Sequence, residues 1–280
     1  AGAAEGPGRV AFAGGGRYDG ELRGGLPHGF GQANYTGGAA YVGEFAEGQR
    51  CGVGELVFGD GRVYRGQFRG DRPHGHGTLV QANGTVYTGE LRDGDVCGSG
   101  ELRCCTGASY RGSFEGGRPH GQGVYRHPSG TVYEGGLARG RYHGEGTLTY
   151  PDGSRYRGGF RAGLPHGQGI LAAKDGQVHY RGEMAAGRME GRGRFTFADG
   201  SYYEGDFAGN RPQGDGRYYY RSGPAAGCAY AGGVADGVPH GRGRLAYPDG
   251  SCYEGEFARN VPEGRGRITW PDGRAYEGRA

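Results

Sequence analysis

The sequence predicts an all-β protein, an elongated, twisted, single-layer antiparallel sheet of stacked β-hairpins. Three observations predict it. First, a Tyr recurs every 23 residues, at Tyr18, Tyr41, Tyr64, Tyr87, Tyr110, Tyr133 and Tyr156. The series continues at Tyr180, Tyr203, Tyr230, Tyr253 and Tyr276, with one extra residue before Tyr180 and four before Tyr230. Second, apolar residues alternate within each period, and third, Asp-Gly or Asn-Gly pairs punctuate its end. A period of this length marks an array in which each repeat buries its apolar face against its neighbours. The expectation is a rod or trough with a binding surface, not a pocketed enzyme.

Residues 1–280 read as one array. It opens with a half repeat at 1–17, where Glu5-Gly6-Pro7-Gly8-Arg9-Val10, with Phe12 and Gly15, fits the second half of a repeat. Eleven complete repeats follow, and a truncated one occupies 276–280. Taking the Tyr as position 0, Gly stands at +2 in all twelve, and +4 is apolar from Leu22 and Phe45 to Phe257. Spacing by two is the period of a strand, so 0 to +4 forms the first strand. Position +7 is Gly in eight repeats and Asp71, Asn210 or Asn260 in the other three. Those residues tolerate positive φ, which predicts a left-handed turn. Gly at +11 and +13, with a large apolar residue at +15 in every complete repeat but the first, where it is Ala33, marks the second strand. At +19 and +20, Asp60-Gly61, Asn83-Gly84, Asp152-Gly153, Asp199-Gly200, Asp249-Gly250 and Asp272-Gly273 predict a tight turn into the next hairpin. Gly inside strands costs stability. The compensation expected here is that Tyr at 0 and Phe at +4 lie over the bare +11 and +13 backbone of an adjacent strand. Arg65, Gln67, His76 and Thr78 fall on the alternate face and suit solvent.

Composition fits this reading only because of the period. Gly and Pro supply 69 and 13 of 280 residues, a share that without a register signals disorder. The 21 Tyr and 11 Phe exceed what a solvated linker carries. Thirty-three basic and 30 acidic residues interleave along the chain, leaving no nucleic-acid footprint, and Lys174 is the only Lys. No apolar run approaches the ~20 residues of a membrane helix, and no signal peptide is visible at the N-terminus. The six Cys lack a zinc or disulfide spacing. Cys51 and Cys97 sit two repeats apart, roughly 19 Å at ~4.8 Å per strand, too far for a disulfide, so reduced thiols are expected. Asn34 and Asn83 match the glycosylation pattern by chance on this reading.

Few residues invite chemistry. His at +10 recurs as His28, His74, His120, His143, His166 and His240, but repeats ~9.5 Å apart cannot converge on one metal ion, and a structural role in the turn is expected. The Gly-x-Gly pairs lack the strand-to-helix context of a phosphate loop. No catalytic residue, cofactor or metal is expected. Position +17 carries the partner reading, through Tyr35, Phe58, Tyr150, Phe197, Tyr220, Tyr247 and Trp270, with Phe195 and Tyr218 beside them at +15. If the row lines a concave face, the stretch from Phe195 to Trp270 offers a groove for an apolar helix or an extended peptide. The plainer alternative is that these rings cover only their own sheet.

Tyr156-Arg157-Gly158-Gly159-Phe160-Arg161-Ala162-Gly163-Leu164-Pro165-His166-Gly167-Gln168-Gly169 closely resembles the MORN repeat, as does Tyr253-Glu254-Gly255-Glu256-Phe257 after Tyr247-Pro248-Asp249-Gly250. The resemblance covers the whole chain. It departs at +10, where Cys51, Cys97, Glu190, Gln213 or Glu263 replaces His, and at Arg221 to Gly227, which hold the four-residue insertion. The resemblance implies a trough-shaped sheet whose concave side holds a partner segment, in a scaffold of the ciliary axoneme or cytoskeleton such as a radial-spoke-type protein. With about twenty-four strands the sheet would be roughly 110 Å long. A second reading is a peripheral membrane adaptor binding phosphoinositides, through Arg155, Arg157, Arg161 and the stretch from Arg188 to Arg194. Balanced charge disfavours it, because anionic lipid attracts clustered basic residues. The partial repeats leave sheet edges at both ends, so a longer native protein, covering partners or a second copy is expected there.

Overall fold

The computed structural model describes residues 4–279. The chain divides into two compact units, Ala1–Arg141 and Tyr142–Ala280. The described residues form twenty-four strands and no helix. The N-terminal unit holds β1 (Gly6–Ala11), β2 (Gly16–Arg23), β3 (Leu26–Tyr35), β4 (Ala40–Ala46), β5 (Gln49–Val57), β6 (Val63–Arg69), β7 (Arg72–Val80), β8 (Val86–Arg92), β9 (Asp95–Arg103), β10 (Ser109–Glu115), β11 (Arg118–Arg126) and β12 (Val132–Ala138). β13 (Arg141–Thr149) starts at the boundary residue. The C-terminal unit continues with β14 (Arg155–Arg161), β15 (Leu164–Ala172), β16 (Val178–Ala185), β17 (Arg188–Thr196), β18 (Tyr202–Ala208), β19 (Arg211–Tyr219), β20 (Ala229–Ala235), β21 (Val238–Ala246), β22 (Cys252–Ala258), β23 (Val261–Thr269) and β24 (Ala275–Arg279). Within the N-terminal unit each strand pairs antiparallel with its neighbours in sequence. The C-terminal unit repeats the pattern. Each unit is therefore a meander of hairpins, the all-β arrangement that the period predicts.

Register explains the Gly positions. Tyr64 on β6 pairs with Leu79 on β7, and Gly66 pairs with Gly77; across the next gap Gly77 pairs with Gly89 and Leu79 with Tyr87. Gly residues at +2 and +13 thus meet in a line across the strands, and the Tyr rings lie on that line. A Cβ on Gly77 would stand 2.4 Å from the Tyr64 ring, and one on Gly66 2.5 Å from the Gly77 Cα. Both approaches are closer than any side chain allows, so Gly is obligatory. From Tyr18 to Tyr253 each Tyr hydroxyl folds over this bare backbone and donates to the carbonyl three residues on, as Tyr64 does to Gln67 at 2.9 Å and Tyr230 to Gly233 at 2.7 Å. The ring edges are closed by Phe at +4 of the same and the following repeat. Tyr41 meets Phe45 at 5.0 Å and Phe68 at 4.9 Å, both edge-on. Such pairs contribute about 0.5–1.5 kcal/mol each beyond area burial. Tyr18, Tyr41, Tyr64 and Tyr203 are fully buried, so a thin sheet makes its core from rings lying flat.

Two expectations change in detail. Gly at +11 seats no ring. Its φ is positive (Gly52 53°, Gly75 71°, Gly98 58°) because the second strand bulges there, with a register shift between +2 and +4. The space beside it is filled by the +3 side chain, which crosses over to accept the backbone N–H of +12: Glu44 from Val53 at 2.9 Å, Gln67 from His76 at 2.8 Å, and Glu90 from Ser99 at 3.0 Å. The left-handed turn takes two residues rather than one, since +6 also has positive φ, as at Glu47 (51°), Ala162 (52°) and Arg259 (47°). Consecutive positive φ values define the two-residue turn whose twist matches paired strands. The Asp-Gly corner is the longer of the two connections: Asp60 accepts from the Arg62 N–H at 3.1 Å, and Gly61 at φ 85° donates to Phe58 at 3.0 Å.

Candidate interaction surface

Repeats stack at their turn edge through one recurring bond. The +7 N–H donates to the +9 carbonyl of the preceding repeat, as Gly94 does to Pro73 and Gly237 to Pro212. Pro suits +9 because its carbonyl is used and its missing N–H is not needed. Where +9 is not Pro, two repeats supply an acceptor for the freed N–H: Asp71 takes that of Arg50 at 3.0 Å, and Asn210 that of Met189 at 2.8 Å. This regular frame carries two faces of different chemistry.

The ring face carries the +15/+17 row. In the N-terminal unit its members are closed off by neighbours. Tyr35 stacks on Phe12 at 5.6 Å beneath the Arg50 guanidinium, also 5.6 Å from its ring, and Phe58 lies under Arg62 at 4.6 Å. In the C-terminal unit Phe195, Phe197, Tyr218 and Tyr220 come together as one ladder, with centroids 5.1 Å apart for Phe195–Phe197, 6.5 Å for Phe197–Tyr218 and 5.7 Å for Tyr218–Tyr220. Tyr218 is a core residue, 5% exposed, whose hydroxyl donates to the Gly237 carbonyl. Tyr220 and Tyr247 pack against the same core, and the Tyr220 hydroxyl reaches Asn260 at 3.4 Å. Burial pushes the Tyr220 phenol up to about 12 and raises that of Tyr150. Phe197 and Trp270 are each 37% exposed, and the Arg274 guanidinium lies 5.8 Å from the Trp270 ring. The insertion is tied to the preceding Asp-Gly corner, with Ser222 bonded to Asp199 and the Arg221 N–H donating to the Ser201 hydroxyl at 2.9 Å.

The opposite face is charged, and two grooves of the C-terminal unit open on it. One, of about 820 Å³, is lined by Arg181, Arg194, Glu204, Arg217 and Ala231 among others; the second, of about 610 Å³, lies over Ala231, Arg244, Glu254 and Arg267. Rings fill the space above one side of the Gly line, whereas Arg and Glu side chains leave the other side open as walls. Cross-strand register arranges these walls in order. Arg181 on β16 stands opposite Arg194 on β17, which faces Glu204 on β18, then Arg217 on β19 and Ala231 on β20. The line continues through Arg244 on β21, Glu254 on β22, Arg267 on β23 and Glu277 on β24. Sequence reasoning missed this ladder because charges were weighed along the chain, where they balance. The signal was present at +14, which is Arg in four successive repeats: Arg194, Arg217, Arg244 and Arg267. Of the basic residues proposed for lipid, Arg157 and Arg194 fall on one cross-strand line through Ile170 and Arg181. Arg155 and Arg157 lie on β14 and Arg188 at the start of β17, while Arg194 sits over the Tyr202 ring at 3.8 Å.

No helix of the described residues is long and apolar enough to cross a membrane. A family model for the MORN repeat matches residues 18–39, 41–61, 64–86, 110–132, 133–155, 156–178, 180–202, 203–224, 230–252 and 253–273. The intervening stretch has the same geometry, with Tyr87 opposite Leu102 and Gly89 opposite Gly100. No curated protein matches the chain. Among solved structures, the SAS-4 TCP domain of Drosophila melanogaster in complex with a proline-rich motif of Ana2 is 14% identical, covers 61% of this chain and 86% of its own, and gives a TM-score of 0.36. The TCP10 domain of Danio rerio CPAP in complex with a STIL peptide is 13% identical over 98% and 100% of the two chains, with a TM-score of 0.28. A streptogramin B lyase is 11% identical over 88% and 81%, with a TM-score of 0.16. At these scores the likenesses carry no argument about this chain.

Proposed function

The chain belongs to the MORN-repeat family, and from that premise we propose that it is a non-enzymatic protein-interaction scaffold whose ring face receives a helical or extended partner segment. The observation that supports this most is the uneven finish of the +17 row. Tyr35 and Phe58 are closed by Phe12, Arg50 and Arg62, whereas Phe197 stays 37% exposed while its ring packs against Phe195 and Tyr218. Trp270 is equally exposed, with the Arg274 guanidinium 5.8 Å from its ring. Exposed rings on a rigid base are the residues that dominate binding energy at interfaces. The family resemblance supports placing the scaffold in the axoneme or cytoskeleton.

The test is affinity purification from ciliated cells with the wild type and a Phe197→Ser/Trp270→Ser pair. Both residues are partly exposed, so the pair should keep its melting temperature within a few degrees while losing a specific co-purifying protein. Retention of every partner would refute the reading. Flotation with phosphoinositide vesicles at physiological salt would instead favour the membrane adaptor.

A further inference from the structure

The charged ladder has a gap. Glu204 fills the place between Arg194 and Arg217, and Glu254 fills the place between Arg244 and Arg267. Between Arg217 and Arg244 the corresponding residue is Ala231, an exposed methyl. Two strand spacings put the flanking backbones about 9.6 Å apart, within reach of guanidinium groups from both sides. Arg244 pairs with Glu254 at 3.1 Å, whereas Arg217 makes no ion pair among the described residues. Asp215 and Arg242, two residues along the outer strands, offset one another. A second cationic place lies at the other end of the groove of about 820 Å³, where Arg181 and Arg194 stand opposite each other.

We propose that this groove binds an extended, proline-rich segment of a protein partner with the charge order acidic, basic, acidic at every third residue. The first carboxylate occupies the gap at Ala231, the basic residue faces Glu204 on β18, and the second carboxylate reaches Arg181 on β16. The fit is metric. Alternate strands recur every ~9.6 Å, and three residues of polyproline II advance about 9.3 Å with their side chains on one side. A continuous phosphate surface, whether bilayer or nucleic acid, matches less well, because it sets negative charge against Glu204 and Glu254 as well. The groove lies on the face opposite the ring row, so this proposal and the function proposed above stand or fall separately.

The experiment is fluorescence anisotropy at low ionic strength with two labelled heptapeptides, Glu-Pro-Pro-Lys-Pro-Pro-Glu and its charge-swapped partner Lys-Pro-Pro-Glu-Pro-Pro-Lys. The wild type should prefer the first by about tenfold or more, the worth of a charged hydrogen bond. Ala231→Glu supplies the carboxylate from within, so it should abolish the preference while the melting temperature holds or rises. Arg181→Gln should weaken binding from the other end. Equal binding of the two peptides, absence of binding, or an unchanged preference in Ala231→Glu would overturn the proposal. So would displacement of the first peptide by phosphatidylserine vesicles at physiological salt, which would assign the groove to lipid.

Discussion

Tyr at position 0 joins two strands and two repeats at once. Its ring covers the Gly line, its edge meets Phe from the next repeat, and its hydroxyl satisfies a carbonyl at the bulge. Removing only the hydroxyl tests the last of these: Tyr230→Phe leaves the Gly233 carbonyl short of its 2.7 Å donor and should cost about 1 kcal/mol in urea unfolding. Filling the seat costs more. Gly243→Ala puts a methyl 2.4 Å from the Tyr230 ring and should destabilise by about 1–3 kcal/mol. The row also sets an alkaline limit. Burial pushes Tyr64, Tyr87, Tyr156, Tyr180, Tyr203 and Tyr230 up to about 12 from an ordinary 10.0. The unfolded chain then ionises first, so stability is intact below pH 10 and falls as pH climbs from about 10 to about 12. Urea midpoints at successive pH values check this; a midpoint unchanged at pH 11 would contradict it. At this scale the +2 and +13 Gly were legible because invariance at a strand position implies a ring or backbone in the space. The +11 Gly looked identical in sequence, and only its positive φ separates a bulge from a seat.

Each hairpin depends on its two-residue turn, and that turn was half legible. Position +7 announced itself through Gly, Asp and Asn, whereas +6 accepts Glu47, Ala162 and Arg259 and carries no sequence mark. Tight closure forces these residues left-handed, a strain of about 1–2 kcal/mol for a residue with a Cβ. Ala186, at φ 47°, is a clean site for relief. Ala186→Gly should raise stability by a few tenths to about 1 kcal/mol after its own entropic cost, read from thermal unfolding. Asn210→Ala should do the reverse. It keeps φ 73° without a residue that tolerates it and removes the acceptor of the Met189 N–H, for a loss of about 1–2 kcal/mol. Two of the four non-Pro +9 residues, Arg50 and Met189, are followed by Asp71 and Asn210 at the next +7, and the stacking of turns gives that pairing its meaning.

Above the hairpin, each unit has one cohesive ring face, and in the C-terminal unit the face opposite it is charged. The rings of the C-terminal unit gather from Phe195 to Tyr220, and two grooves of that unit open on the other face, over Arg181, Glu204, Ala231 and Arg267. Weighing charge along the chain misses that site, because cross-strand register lines up residues 10 to 14 apart, such as Arg194, Glu204 and Arg217, and only the recurrence of Arg at +14 marks the line in the sequence. The surface ion pairs contribute little to stability: Arg9–Asp19 and Arg244–Glu254 are largely exposed, and such pairs are worth about 0–1 kcal/mol. Raising salt from about 0.1 to 0.5 M should therefore move the melting temperature by no more than a degree or two while weakening any ligand of the charged groove.

The central claim is that the open rings of the C-terminal unit are a partner's footing. Site-specific photo-crosslinking in cells tests it most directly, with a benzophenone side chain in turn at Phe197, at Trp270 and, on the polar face of the N-terminal unit, at Thr88. The scaffold reading predicts one common protein adduct at 197 and 270 and none at 88. Absence of a protein adduct at both ring positions, or adducts with lipid alone, would contradict it.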